Sequence, residues 1–575
     1  MESIAAAYCQ GLHSGETVLS DKVAAVCMEA QHQIFTATAH HRHSRNVLFG
    51  EYVRAALREE ILSRGETIRS VDTNGTFIGL NNHTTNVISW RGVPYADPPI
   101  GDLRWRAATP PTKHLGVVNA TNWKDTCIKT TQTWVVPGTS EDCLYANVFI
   151  SGSTPSNSSA KLPVMVWFHG GGYQGGDTRE AIPDAILQTS ASAGRPFVFA
   201  SFAYRLGQFG FLAGSPLKED GQLNIGLQDQ RAALRWVQKY IGDFGGDPSR
   251  VTIWGQSAGA GSVMFHLIAN GGNNEDLFVA AIGDSPALSA MPDYNDPYLE
   301  DVFQQFASLA GCNPTQPNVM SCLRALDAGA IASAGSRLIA SRNSTLYVFA
   351  PYFDGEFITE RPIQAFTSSK TFAQVPVLFG SNTNEGSNWS ARLRNPNANT
   401  SMPDATQETV FNFLRGQYPF LTKETFDRAV ELYPISDYGN FSLQGQQMYG
   451  ETRFICAAEL ITTAYAGEGL KSYRYRYNNP HLGSNHHDEL QGLFVPSTLS
   501  SPSDLALFAK MKEFWSAFVT EEASVGNSVW ETVDAGSLTK QRLLLDPSVV
   551  EMEAITAAQV ERCAFWRNAS ATLRT

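Results

Sequence analysis

Several features are missing from this chain of 575 residues, and each absence excludes a class of function. No apolar run approaches the roughly eighteen residues that a membrane-crossing helix needs, so no span is expected. Positive charge is not in excess. The 43 Lys and Arg face 55 Asp and Glu, for a formal net charge of -12. A nucleic-acid surface needs clustered cations to neutralise phosphates, so that partner is excluded. The eight cysteines (Cys9, Cys27, Cys127, Cys143, Cys312, Cys322, Cys456 and Cys563) follow no zinc spacing. The cluster His40, His41 and His43 has no Cys or carboxylate at ligand spacing, so it reads as a solvated loop and no metal is expected. No repeat of fixed period is visible. The opening "MESIAAAYCQGLHSGETVLSDK" lacks the basic segment and long apolar core of a signal peptide.

What is present is ordinary in bulk and uneven in detail. Hydrophobic residues make up 43% and charged residues 17%, as in a globular protein with a large core. Nine Asn-x-Ser/Thr sequons occur, at Asn74, Asn82, Asn119, Asn157, Asn343, Asn388, Asn399, Asn440 and Asn568. Average composition would give roughly half as many, so the excess points to a glycosylated, secreted protein. Residues 1–70 are rich in Ala and His, and "NVLFGEYVRAALREEILSRG" spaces its apolar positions as a helix does. From residue 71 onward, short β-branched runs alternate with helical patterns and Gly/Pro turns. That texture predicts an α/β fold with a mostly parallel sheet, preceded by an extension over 1–70.

The chemistry concentrates in "IWGQSAGAG", residues 253–261. The run "RVTIW" before it reads as a buried strand, and "AGAGSVMFHLIAN" after it reads as a helix. Strand, G-x-S-x-G, helix is the setting of a nucleophile elbow, in which a strained turn lifts the Ser257 hydroxyl clear of the sheet. A structural serine in a glycine loop is the competing interpretation. Upstream, "LPVMVWFHGGGYQGG" places His169, Gly170, Gly171 and Gly172 behind another strand. Backbone N–H groups of such glycines approach a substrate oxygen unobstructed. Gly171 and Gly172, with Ala258 after the serine, are therefore the expected oxyanion donors.

These residues carry a family resemblance. "FGGDPSRVTIWGQSAG" resembles the serine signature of type-B carboxylesterases, the family of cholinesterases and fungal lipases, at every constrained position. "EDCLYANVF" resembles the second signature, with Ala146 in place of the usual aliphatic residue or Thr. "WRGVPYADPPIGDLRW", "YRLGQFGFLA" and "NIGLQDQRAALRWV" are similar to further landmarks in the expected order. The resemblance implies one α/β-hydrolase domain over 71–575. "LFGSNTNEGSNW" resembles the acid loop and implies Glu385 as the triad acid. "GSNHHDELQGLF" resembles the histidine loop, and its register against Glu489 and Phe494 selects His486 over His487 and His481. The chain order Ser257, Glu385, His486 is that of α/β-hydrolases.

The resemblance also implies the disulfides Cys127–Cys143, Cys312–Cys322 and Cys456–Cys563, leaving Cys9 and Cys27 unplaced, and a buried ion pair between Arg104 and Glu141. Disulfides agree with a secretory route. Two departures narrow the substrate. Gln256 stands where cholinesterases carry Glu, which serves a choline-like cation poorly. Only fifteen residues separate Cys127 from Cys143, too short for the lid of fungal lipases. Trp134 in that loop lines the gorge or packs on the surface. The expected function is hydrolysis of neutral, moderately sized carboxylic esters through an acyl-enzyme, without cofactor. An acyltransferase or macrolactonising enzyme using an alcohol acceptor, and a non-catalytic adhesion domain, are the alternatives. Nothing in the sequence sets the oligomeric state.

Overall fold

The computed structural model describes residues 68–575 apart from 73–74, 113–116, 155–159, 496, 527–528, 535 and 537–540. The helical spacing in the extension, the His40, His41 and His43 cluster, Cys9, Cys27 and the sequons at Asn74 and Asn157 lie outside the described residues.

Strands β1 (Ile68–Asp72), β2 (Thr76–Asn82), β3 (Val87–Pro94) and β4 (Val117–Asn119) open the chain, β1 straddling the expected boundary near residue 70. A small pair follows, β5 (Thr126–Cys127) and β6 (Thr139–Ser140). Then come β7 (Tyr145–Ser151), β8 (Leu162–Phe168), β9 (Val198–Phe202), β10 (Gly246–Gln256) and β11 (Ala280–Asp284). The last are β12 (Val377–Asn382), β13 (Ser472–Tyr477), β14 (Arg542–Asp546) and β15 (Val549–Glu553). The large sheet runs in the order β1-β2-β3-β7-β9-β8-β10-β11-β12-β13-β14-β15, with β4 beside β2. From β9 through β14 every neighbouring pair is parallel. The flanks, from β1 through β9 and at β15, are antiparallel.

Alternation along β8 shows why the sheet is covered on both faces. Val164, Val166 and Phe168 enter one apolar cluster, and Met165 and Trp167 enter another. Successive side chains of a strand point to opposite faces, so a strand with no polar interior position must be buried twice. The first face is covered by helices α1 (Ile225–Tyr240) and α2 (Ala258–Gly272), which supply Leu234, Val237, Val263 and Leu267. The second is covered by α3 (Pro502–Thr520), through Phe508, Met511, Trp515 and Phe518. On that face Trp254 of β10 meets Trp167 edge-on at 4.6 Å and stacks on Phe494 at 5.2 Å. Such pairs add about 0.5–1.5 kcal/mol beyond area burial. They also anchor the end of the histidine loop to the strand that carries Ser257. A third cluster, including Trp389, Tyr418, Tyr449 and Phe454, forms a separate apolar layer.

All three implied disulfides are formed: Cys127–Cys143, Cys312–Cys322 and Cys456–Cys563. Trp134 is 56% exposed, so the surface alternative holds for it. Among the described residues no helix is long and apolar enough to cross a membrane. The implied ion pair is present and two-pronged. Arg104 Nε and Nη2 donate to Glu141 Oε1 and Oε2 at 2.6 and 2.7 Å, with side chains only 4% and 9% exposed. Arg104 Nη1 also donates to the carbonyls of Leu323 and Leu326 at 2.9 and 3.0 Å. One guanidinium thus ties the first disulfide loop to the segment that follows the second.

Glu141→Ala would leave that guanidinium buried without its countercharge. The expected loss is about 3–5 kcal/mol of stability in urea denaturation. Stability within 1 kcal/mol or so of the wild type would mean that the pair does not hold the loop.

Candidate active site

The turn between β10 and α2 begins with a constraint on backbone space. A Cβ at Gly255 would lie 2.3 Å from the Gly259 carbonyl carbon, and one at Gly259 would lie 2.0 Å from the Phe168 oxygen. Only glycine lets the strand and helix approach so closely around Ser257. The serine itself has φ 59° and ψ -119°, a sparsely populated conformation for a residue with a side chain. Three hydrogen bonds hold it there: Ser257 N–H to Asp284 O at 2.9 Å, and Gly261 and Ala287 N–H to Ser257 O at 2.8 and 3.2 Å. The Ser257 hydroxyl bonds to no described residue, and the side chain is buried save for 8% exposure.

Beside it lies the glycine loop that follows β8. A Cβ on Gly170 would come within 3.2 Å of Ser257 Cβ, so the loop rests directly on the elbow. Gly171 and Gly172 have φ of 101° and 64°, conformations that favour glycine. Their N–H groups, and that of Ala258 at the start of α2, donate to no other described residue. Three free donors therefore flank the serine. His169 shapes this loop from behind. Its Nδ1 sits 2.9 Å from Gly170 O and its ring stacks on Tyr204 at 4.4 Å. Burial pushes its pKa down to about 4, so the ring stays neutral.

The acid and histidine loops are joined before they reach the serine. Asn384 N–H donates to Ser484 O at 2.8 Å, and Asn382 Nδ2 to Asn485 O at 2.6 Å. Glu385, buried, accepts at Oε1 from Ser285 Oγ at 2.5 Å and from Asn382 N–H at 2.6 Å. Its Oε2 meets His486 Nδ1 at 2.5 Å. That contact assigns the Nδ1–H tautomer and leaves the His486 Nε2 lone pair as an acceptor. Phe454 and Trp389 clamp the imidazole, their ring centroids at 4.2 and 5.3 Å. Nε2 lies 3.5 Å from Gln256 Nε2. Of the competing histidines, His481 pairs with Asp504 at 2.7 Å, and His487 points outward at the surface with φ 85°.

Sequence reasoning missed Ser285, Asn382 and Asp284. Ser285 and Asn382 bond Glu385. Asp284 is a buried carboxyl behind it, as is Glu489, which the sequence marked only as a register position. Glu489 accepts from Asn382 Nδ2, and burial beside Asp284 and Glu385 pushes its pKa well up. Asp284 accepts from Trp254 Nε1 at 2.5 Å and from the Tyr475 hydroxyl at 2.7 Å. No local pattern marks Asp284, Ser285 and Asn382, because what brings them together is the adjacency of β11 and β12. Among the described residues, no group of three or more His, Cys, Asp or Glu could hold a metal ion.

The site can be set beside known proteins. Residues 66–566 match the profile of the carboxylesterase family. The chain is 32% identical over 467 residues to fumonisin B1 esterase of Sphingopyxis macrogoltabida, covering 75% of this chain and 78% of that protein. It is 33% identical over 347 residues to secreted lipase 1 of Botryotinia fuckeliana (strain B05.10), covering 56% of this chain and 59% of that lipase, less than two thirds of its length. The crystal structure of Aspergillus niger EstA superposes with a TM-score of 0.77 at 29% identity, covering 88% of this chain and 99% of EstA. With its mostly parallel sheet flanked by helices, the chain has the α/β-hydrolase fold and belongs to the carboxylesterase family.

Proposed function

We propose that Ser257, His486 and Glu385 hydrolyse esters through an acyl-enzyme, in a single hydrolase domain spanning residues 71–575 with 1–70 as an extension. The observation that carries this reading is the set of three free N–H groups beside a hydroxyl on a strained elbow, with a carboxylate-bonded imidazole against Gln256, the residue before that serine. Ser257 Oγ attacks the ester carbonyl carbon while His486 Nε2 takes its proton. For this the serine hydroxyl replaces the Gln256 amide as the neighbour of Nε2; catalytic bonds are often long before substrate binds. The carbonyl oxygen becomes an oxyanion and accepts from Gly171, Gly172 and Ala258 N–H. Losing one such donor typically costs about 100- to 1,000-fold in rate. The imidazolium then protonates the leaving alcohol, and a water repeats the sequence to release the acid. Glu385, anchored by Ser285 and Asn382, stabilises the imidazolium without taking its proton.

Substrate and compartment follow from the same features. Gln256 places an uncharged amide where a carboxylate would attract a choline-like cation, so we read the substrate as uncharged around the scissile bond. The three disulfides and the similarity to a secreted lipase point to an extracellular protein. Of the seven sequon asparagines among the described residues none is buried, and Asn119, Asn343, Asn388, Asn440 and Asn568 are exposed, so we read them as glycan acceptors.

Ser257→Ala and His486→Ala should each lower kcat for a 4-nitrophenyl ester by at least about 10,000-fold. His487→Ala should keep most of the activity; the opposite ranking of the two histidines would overturn the assignment.

A second expectation concerns pH. Burial, opposed by the Tyr475 and Trp254 donors and reinforced by Glu385, pushes Asp284 up to about 7. Its unfolded pKa is about 3.9. The neutral carboxyl is therefore favoured by folding, and that stabilisation is complete below about pH 4 and lost as pH rises through about 7. Asp284→Asn carries no such titration. Urea denaturation should show the variant gaining relative to the wild type between pH 5 and pH 8. A stability difference that does not change with pH would contradict it.

A further inference from the structure

A cavity of about 230 Å³ opens to solvent between the start of α1, the end of α2 and the turn at 354–357. No residue of the candidate active site lines it. Helix α2 keeps helical dihedrals from Ala258, next to Ser257, as far as Ile268. At 1.5 Å per residue that is a rise of roughly 15 Å, so the cavity sits at the end remote from the serine.

Its walls are bonded to one another. Asn224, left-handed at φ 49° just before α1, is fully buried, and its Nδ2 donates to Asp354 Oδ2 at 2.6 Å and to Tyr352 O at 2.8 Å. At the other side α2 stops because Ala269, Asn270 and Gly271 leave helical dihedrals, and Asn270 N–H donates to Phe357 O at 2.8 Å. Asn and Gly enter the left-handed region at least cost, so both turns are written into the sequence. A cavity whose walls are already joined needs little ordering when a ligand arrives.

The charges in the lining are paired within the protein. Arg235 donates through Nε and Nη2 to Glu275 Oε2 at 3.3 and 2.8 Å, and Glu275 stands outside the cavity. Glu356 pairs with Lys218. Asp354 Oδ1 accepts from the N–H groups of Glu356, Phe357 and Ile358 at 2.9, 2.8 and 2.9 Å. What remains uncommitted is neutral. The half-buried amides of Gln222 and Gln228 make no side-chain hydrogen bond to a described residue, and Asn270 Oδ1 accepts from none. Each glutamine amide offers two donors and an acceptor. Leu223 and Phe357, each 6% exposed, add an apolar floor. A sugar ring, with hydroxyls that donate and accept and a C–H face that is apolar, complements this lining. An anion or a cation would find its countercharge already paired.

We propose that this cavity binds one neutral sugar residue, at a site separate from the ester chemistry and independent of how that chemistry runs. A polysaccharide and the N-glycan of a glycoprotein both present such a residue.

Saturation-transfer NMR on the full chain tests it, with glucose, galactose, mannose and N-acetylglucosamine as probes and glutamate and phosphate as charged comparisons. At least one sugar should bind with a millimolar Kd, and more tightly than either charged probe. Gln222→Ala with Gln228→Ala should raise that Kd about 10-fold or more, the worth of two neutral hydrogen bonds, with the melting temperature unchanged. If that double variant does not fold, Asn270→Gly, which keeps the left-handed turn, should weaken binding in its place. Preference for glucose or galactose identifies a polysaccharide unit, and preference for mannose or N-acetylglucosamine identifies an N-glycan; either supports the site. Transfer to none of the sugars would overturn the proposal. So would sugar binding that the folded variants leave unchanged, or tighter binding of a charged probe. None of these readouts uses ester turnover, so a failure of the hydrolase reading leaves them intact.

Discussion

The strained turn at Ser257 is the constraint on which the rest of the site depends. A serine at φ 59° and ψ -119° costs on the order of 1–3 kcal/mol and persists only where its surroundings leave no alternative. Those surroundings are the flush contacts at Gly255 and Gly259, the bond that Ser257 N–H donates to Asp284 O and the one that Ser257 O accepts from Ala287 N–H. The segment after β11 therefore does two jobs. Its backbone holds Ser257, and its Ser285 hydroxyl, one residue on, holds Glu385. A shift of that segment would move Ser257 and Glu385 together, which is why their spacing is stiff although they come from distant parts of the chain.

Charge is distributed around this frame with the same economy. Three buried carboxyls, Asp284, Glu385 and Glu489, crowd one side of the imidazole, and burial with mutual repulsion pushes Asp284 and Glu489 toward the neutral form. Glu385 differs in its bonds: it accepts from Ser285 and the Asn382 backbone as well as meeting His486.

How much of this could be read from the sequence depended on whether the signal was local. The elbow, the glycine loop and the strands β8 and β10 were legible because glycine spacing and β-branched runs report backbone constraints within a few residues. Glu385, His486 and the disulfide pairings came from resemblance, since nothing near them in the chain marks their partners. Trp134 stayed open because a loop Trp has no pattern that tells surface from gorge. Gln256 was noticed for its missing charge, but its place against His486 Nε2 was not foreseeable from the elbow alone. Ser285 and Asp284 were illegible for one reason. A buried polar residue in an apolar stretch carries no mark of whether its partner is near, far or absent.

The central claim is that Ser257 carries the covalent intermediate. Its most direct test is to trap the wild-type enzyme with a fluorophosphonate, digest it and locate the adduct by tandem mass spectrometry. The account predicts one stoichiometric adduct, on Ser257 within the sequence "VTIWGQSAGAGSVMF". A stoichiometric adduct on any other residue, with Ser257 unmodified, would contradict it.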